Sequence, residues 1–423
     1  MSRERVIQLF EHDELKVGER LGEVVVTERD VDILARLHRQ TRGRFYELIH
    51  RGVRFKQYVG VLKAGSLTIE LLPKGGRAAK KTLAADAKLP WRSLFVQLLS
   101  RIGYIQTDLG PRASVYLQHG SLIDLYVLHF LQAVRALCRE GLVRAYVPRS
   151  MVRTALKGQI QFRQQMTREL RGIVGFDTRA AEYERGHVLN RVLLKALLKV
   201  KESRLSRVTE DLLPEILGYF EGVSPIDEPR QLLPAFQFDR RTERYRTAMD
   251  LAKPILISSY PGVRAGADDT FSMLFDMNQV WERFIFCELR RHAAKSGIKV
   301  DRQVSAAFWE GRRLRPDIVV HLEGGRRVVV DTKWKELRSP DPSDVDLRQM
   351  FAYNHQIKAV HSILLYPDIH GVEGKRANFG DSAHGCSAEF ARIWQEREGG
   401  VALNRAVGEE VMGMAVRVGA TNE

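Results

Sequence analysis

LRPDIVVHLEGGRRVVVDTKWK, residues Leu314 to Lys335, decides how the C-terminal part of the chain is read. Two short β-branched runs, Ile318 to Leu322 and Val328 to Val330, flank a Gly324-Gly325 pair, the pattern of a β-hairpin. Asp317 opens the first run just after Pro316, and Asp331 closes the second, two positions before Lys333. Such a hairpin gathers two carboxylates and an ammonium at one edge. Whether they share a face depends on register, because side chains alternate along a strand. A two-residue glycine loop pairs Asp317 with Thr332 and turns Asp331 and Lys333 away. A three-residue loop through Arg326, or a five-residue one, brings all three to one side, so an odd loop or a bulge is expected.

Two carboxylates held close raise each other's pKa unless a cation lies between them. A hard divalent ion is the usual remedy, and Mg²⁺ takes one or two carboxylates together with waters and phosphate oxygens. With Pro316-Asp317 as one half and Asp331-Thr332-Lys333 as the other, the stretch resembles the PD-(D/E)xK nuclease superfamily. Further stretches resemble the McrC family: FSMLFDMNQVWERFIFCEL (Phe271 to Leu289), DLRQMFAYNH (Asp346 to His355) followed by ILLYP, VGVLKAGSLTIELLPK (Val59 to Lys74) and LKGQIQF (Leu156 to Phe162). They fall in order over most of the chain. McrC is the nuclease subunit of a modified-cytosine restriction system that works with McrB, a GTP-hydrolysing AAA+ motor.

Composition agrees with a DNA-acting protein. The 423 residues carry 67 Lys and Arg against 52 Asp and Glu, a net charge of +15 and a pI near 9.8. That excess suits a polyanion, although it carries no sequence information. Cys138, Cys287 and Cys386 are odd in number and lack metal-ligand spacing, so they read as free thiols in a reducing compartment. The start, MSRERVIQLFEHDEL, has no apolar signal core, and the most membrane-like run, Leu122 to Leu142, contains Asp124, His129, Arg135, Arg139 and Glu140. A buried helix and a cytoplasmic location are expected, with no membrane partner.

Three parts are expected in an α+β multidomain chain: a small β-rich module over 1–81, a mostly helical middle over 82–267, and an α/β restriction-endonuclease-like core over 268–423. The first holds a helix near Glu28 to Gln40 and a hairpin, Phe55 to Leu62 with Leu67 to Leu72. Resemblance to McrC implies that this module is the stalk that enters the motor's pore and stimulates nucleotide hydrolysis. The string Gly75 to Thr82 glances at a phosphate-binding loop, but Lys80 stands where that loop needs its second glycine, so it reads as a basic linker and GTP is left to the partner. In the middle part, Arg149, Arg153, Lys157, Arg163, Arg168 and Arg171 form one basic stretch and Arg240, Arg241, Arg244 and Arg246 another. Arginine forks suit phosphate, so one of these is expected to line a DNA path; a solvated face with local ion pairs is the other reading.

In the last part the opening helix, Asn278 to Ala294, places Glu282 on a face with Ile285, Phe286, Leu289 and Ala293. Ser343 with Asp346 starts a second helix that should bury Leu347, Met350 and Phe351, with Gln349 and Tyr353 one turn apart. His361 to Pro367 is a further strand, and beyond Gly371 a loop, a last helix and a strand-like end are expected. The family resemblance implies that Asp317 and Asp331, with Glu282 and the Thr332 carbonyl, hold Mg²⁺ (or Mn²⁺) for phosphodiester hydrolysis. It makes Lys333 the residue that orients the attacking water or stabilises the phosphorus centre, and Gln349 and Tyr353 its supports. A stand-alone structure-specific nuclease, or a scaffold with a degenerate core, stays open as an alternative.

Overall fold

A computed structural model describes residues 5–73, 88–104, 122–202, 208–227, 236, 238–258, 270–380, 382–397 and 400–420; the string Gly75 to Thr82 lies outside them. The architecture is mixed α+β in two compact units. One joins Met1–Asp108 to Leu274–Glu423, and the other is Leu109–Met273. The three parts expected from the sequence are thus regrouped, with the N-terminal strands and the C-terminal α/β part in one body. Local pattern could not show this, because it rests on contacts such as Met277 N–H to the Gln57 carbonyl at 3.0 Å.

In the first unit, strands Arg5–Phe10, Leu67–Leu72 and Tyr58–Ala64 lie side by side in a four-stranded sheet completed by Thr270–Asp276. The expected helix spans Glu28–Gln40, begun by Thr27, whose hydroxyl accepts from the Asp30 N–H while Asp30 answers to the Thr27 N–H. That reciprocal cap satisfies two amides the first turn leaves without helical partners.

The same unit's second sheet has six strands in the order Lys299–Arg302, Ile318–His321, Arg327–Thr332, His361–Pro367, Gly385–Ala391 and Lys375–Asn378. The Arg327–Thr332 strand runs antiparallel to Ile318–His321 and parallel to His361–Pro367. Val328, Val329 and Val330 are all fully buried, as a strand covered on both faces requires. Each such side chain contributes roughly 1.5–3 kcal/mol. Val319 and Val329 face helix Asp344–Ile357, meeting Met350, Tyr353 and Ile357. Val328 faces the opposite layer, where a Cβ on Gly419 would lie 2.3 Å from Leu322 Cδ1, so a larger residue in helix Val407–Ala420 would have to push that side chain aside.

Two expectations about this part need correction. Phe351 is 48% exposed, and its ring meets Phe379 edge-on at 5.4 Å instead of entering the core. Four strands, Lys375–Asn378, Gly385–Ala391, Trp394–Arg397 and Gly400–Leu403, precede the last helix, which ends the described chain. The strand GCSAEFA opens with the small residues Gly385, Cys386, Ser387 and Ala388, which carry little strand signal of their own.

The second unit is a helical bundle with a β-rich arm. Helices Leu122–Glu140, Val188–Glu202, Val208–Tyr219 and Arg246–Ser258 bury Phe130, Leu193, Ile216 and Met249. Inside, the Tyr126 hydroxyl donates to the Leu251 carbonyl and the Tyr245 hydroxyl to Asn190. No helix among the described residues is long and apolar enough to cross a membrane. The arm is a three-stranded antiparallel sheet of Gln159–Ile160, Phe176–Glu184 and Ala145–Arg153, with helix Phe162–Leu170 attached. That helix buries none of its residues, and Phe162, Met166, Leu170 and Val174 are 64–94% exposed.

Candidate active site

The hairpin pairs His321 with Arg327 and Ile318 with Val330, leaving Leu322 to Arg326 as a five-residue loop closed by the Leu322 N–H on the Arg326 carbonyl. The odd loop is borne out. Gly324 and Gly325 take φ of 71° and 75°, which other residues resist. Continuing the register sets Asp317 opposite Asp331, on the face toward helix Asp344–Ile357.

Each acid is held differently. Asp317 Oδ2 accepts from the Thr332 N–H at 2.8 Å and from the Thr332 hydroxyl at 2.7 Å. Asp331 is 2% exposed, and its Oδ2 lies 2.7 Å from Lys333 Nζ, an ion pair out of line for a hydrogen bond. Lys333 instead donates to Gln349 Oε1 at 2.9 Å and has Asp346 Oδ1 at 3.6 Å. Gln349 passes a hydrogen bond to the Tyr353 hydroxyl at 2.8 Å, and Tyr353 donates to the Arg315 carbonyl at 3.3 Å. Gln349 and Tyr353 therefore face the acids, as their spacing suggested.

The electrostatics follow from three acids around one ammonium. Burial pushes the Asp331 carboxyl up to about 7, and the neighbouring Asp317 adds to it. Burial also raises Asp317, helped by the charge of Glu282, against the pull of the Thr332 bonds. For Lys333 burial works the other way, yet Asp331, Asp346 and Asp317 outweigh it and hold the ammonium above its ordinary value. The pocket thus has a surplus of negative charge that its own lysine does not cancel.

Glu282 is only partly gathered in. It is 9% exposed and close enough to act on Asp317, but its Oε1 accepts from Arg302 Nε at 2.9 Å and Gln303 Nε2 at 3.0 Å. Among the described residues no three His, Cys, Asp or Glu side chains are gathered to hold an ion. The donors that do meet are carboxylate oxygens of Asp317 and Asp331, and that chemistry fits Mg²⁺, which keeps several waters and needs few protein ligands.

The sequence undersold Asp346, read there only as a helix cap. It serves as one, its carboxylate accepting from Ser343 Oγ at 2.8 Å, and it also receives Lys335 Nζ at 2.7 Å beside Lys333. Its signal was available: Asp346, Gln349 and Tyr353 stand at i, i+3 and i+7 on one helical face. Trp334, next to Lys333, donates its indole N–H to both oxygens of the fully buried Glu11, at 2.9 and 3.0 Å, and no local pattern joins those two.

The basic stretch of the second unit is divided between ion pairs within the arm and exposed side chains, with Arg163, Arg168 and Arg171 lining one shallow cavity. Arg153 binds Glu182 and Arg168 binds Asp177, each at 2.7 Å, inside the arm. Lys157, Arg163 and Arg171 are exposed, and Arg149 lies in the Ala145–Arg153 strand. Of the other basic stretch, Arg244 pairs with Glu140 and Arg246 with Glu243.

Residues 53–367 match the family described as McrBC 5-methylcytosine restriction system component. No curated protein matches the chain. Among solved structures it is similar to a chain of the Thermococcus gammatolerans tetradecameric assembly of McrB AAA+ hexamers with bound McrC. The TM-score there is 0.61 at 18% identity, over 97% of this chain and 99% of that one. A chain of the McrBC complex of the same organism is similar at 20% identity and a TM-score of 0.47, over 68% of this chain and 87% of that one. At these identities the first likeness speaks for the fold.

Proposed function

The chain belongs to the McrBC 5-methylcytosine restriction system family, and from that premise we propose that it is the metal-dependent DNA endonuclease subunit, of the McrC kind with a PD-(D/E)xK core. It hydrolyses phosphodiester bonds when an oligomeric, GTP-hydrolysing AAA+ partner engages it. The observation that carries this reading is the pairing of Asp317 with Asp331, Asp331 raised by burial and by Asp317, and Asp317 by burial and by Glu282, with Lys333 directly after the strand.

Asp317 and Asp331 would hold the metal, with the Thr332 carbonyl, and Glu282 would act on it from behind Arg302 and Gln303. Bound there, a divalent ion supplies Lewis acidity toward the phosphate and a more acidic water. Lys333, held between Asp331 and Gln349, would offer its ammonium to charge building on the phosphate, where a preorganised cation counts most. Gln349 positions that ammonium, and Tyr353 positions Gln349. Modified-base recognition is assigned to the partner.

The site of partner contact moves from where the sequence alone puts it. Residues 5–73 are built into the first unit, where Glu11 meets Trp334, so we assign motor contact to the arm of the second unit, which exposes Phe162, Met166, Leu170 and Val174 among its polar side chains. Its exposed Lys157, Arg163 and Arg171 go with it, away from the DNA path. The deciding experiment is a cleavage assay on methylated and unmethylated DNA, with and without Mg²⁺, GTP and the candidate AAA+ protein. Cleavage that needs all of these and methylated DNA supports the reading. Cleavage by Lys333→Ala at the parent rate ends it.

A further inference from the structure

Just upstream of Asp317 a small hairpin, Ala306–Trp309 with Arg312–Leu314, stands apart from the main sheet as a two-stranded ribbon. Its stem is fixed. Ala306 and Leu314 pack on the core cluster of Met350 and Tyr353, Gln356 Nε2 donates to the Ala307 carbonyl at 2.6 Å, and Tyr353 donates to the Arg315 carbonyl. Its tip is not covered: Phe308 is 57% and Trp309 67% exposed. The register shifts between Ala307 and Trp309, so Phe308 is the additional residue of a bulge, a device that bends a strand and re-aims a side chain.

The charge is one-sided. Arg312, Arg313 and Arg315 stand against Glu310 alone between Ala306 and Arg315, and all three arginines are exposed. Arg313 is braced by donating to the Ser305 carbonyl at 3.0 Å. Two exposed aromatic rings with cations beside them are what unstacked or kinked nucleic acid needs: a face or wedge for bases and counter-charge for phosphates. Tyr353 ties the stem of this ribbon, through Gln349, to Lys333.

We propose that the ribbon Ala306–Leu314 is a wedge for the DNA beside the scissile phosphate, with Phe308 and Trp309 against the bases and Arg312 and Arg313 on the backbone. This rests on the nuclease reading of the site two residues downstream of Arg315. The charge excess and the continuity with that site favour DNA over a protein partner.

The test uses the full chain and a fluorescein-labelled duplex, followed by anisotropy in EDTA at several salt concentrations. The double variant Phe308→Ala, Trp309→Ala should bind about tenfold or more weakly, with an unchanged slope of log affinity against log salt, because no charge is lost. Trp309→Phe should keep most of the affinity. Arg312→Ala with Arg313→Ala should lower the slope by about 1 to 2. Unaltered thermal midpoints show that the exposed substitutions leave the fold intact. Parent-like duplex binding by the double aromatic variant overturns the proposal, as does loss of the AAA+ partner with DNA binding intact. The nuclease reading is judged separately by Lys333→Ala: cleavage by that variant sinks the site assignment, whereas anisotropy in EDTA reports on the ribbon whether or not the site cuts.

Discussion

Two carboxylates of the first unit are equally buried and oppositely furnished. Glu288, 3% exposed, receives Arg101 Nε at 2.6 Å and Arg101 Nη2 at 3.0 Å, with Arg291 also on its Oε1. Asp331, 2% exposed, has one lysine and two further aspartates for company. The first is a closed account of charge, two guanidinium groups on one acid, tying helix Lys88–Arg101 to helix Met277–Ser296. The second carries more negative than positive neighbours. Burial alone therefore does not mark a functional acid; the sign of its neighbours does.

The contrast breaks first, and most visibly, at Lys333. Lys333→Ala should lower cleavage by about 10²–10³-fold while the parent's duplex affinity persists, whereas Glu288→Gln should leave the rate per folded molecule unchanged. Cleavage assays beside binding curves decide between them. Stability should show the reverse order. Glu288→Ala removes the charge-assisted hydrogen bonds from Arg101 and Arg291, both partly exposed, and should cost about 1–3 kcal/mol in urea unfolding.

A third measurement sharpens the comparison through pH. Asp331 has a folded pKa of about 7 against an ordinary 3.8, so the folded state holds its proton longer than the unfolded chain does. Its contribution is present below pH 3.8 and is lost as pH rises toward 7. Metal-free Asp331→Asn should therefore gain on the parent between pH 5 and 8, by roughly 1–3 kcal/mol at the upper end. Thermal midpoints read this directly, and added Mg²⁺ should stabilise the parent at pH 8 but not the variant. A flat difference across that range would mean that Lys333 already cancels the charge. The smallest effect is expected for Tyr353→Phe, which frees Gln349 from one neutral hydrogen bond worth about 1 kcal/mol and should slow cleavage by roughly threefold to tenfold.

What the sequence disclosed was what local spacing encodes. The β-branched runs and the glycine pair gave the hairpin, and alternation gave the shared face of Asp317, Asp331 and Lys333. Helical periodicity placed Gln349 and Tyr353 correctly, yet it also placed Phe351 inside, because a hydrophobic residue at the edge of a helical face can reach either the core or a surface neighbour such as Phe379. The tail was misordered for a different reason: Gly385, Ser387 and Ala388 owe their strand conformation to both neighbours in the sheet and not to their own propensity. Glu282 was read as a ligand from the family resemblance, but its nearest partners are Arg302 and Gln303, which no helical wheel displays.

The bond between Trp334 and Glu11 spans 323 positions of sequence. It follows that a shortened protein beginning at Asp268 is not a miniature of the whole. Without the opening strands the indole beside Lys333 loses its bond to Glu11, although the strand Arg327–Thr332 keeps both neighbours in its sheet. Dissecting this molecule by limited digestion or by gene truncation should therefore silence its chemistry well before it disturbs the hairpin itself, and supplying residues 1–73 as a separate peptide is the natural rescue.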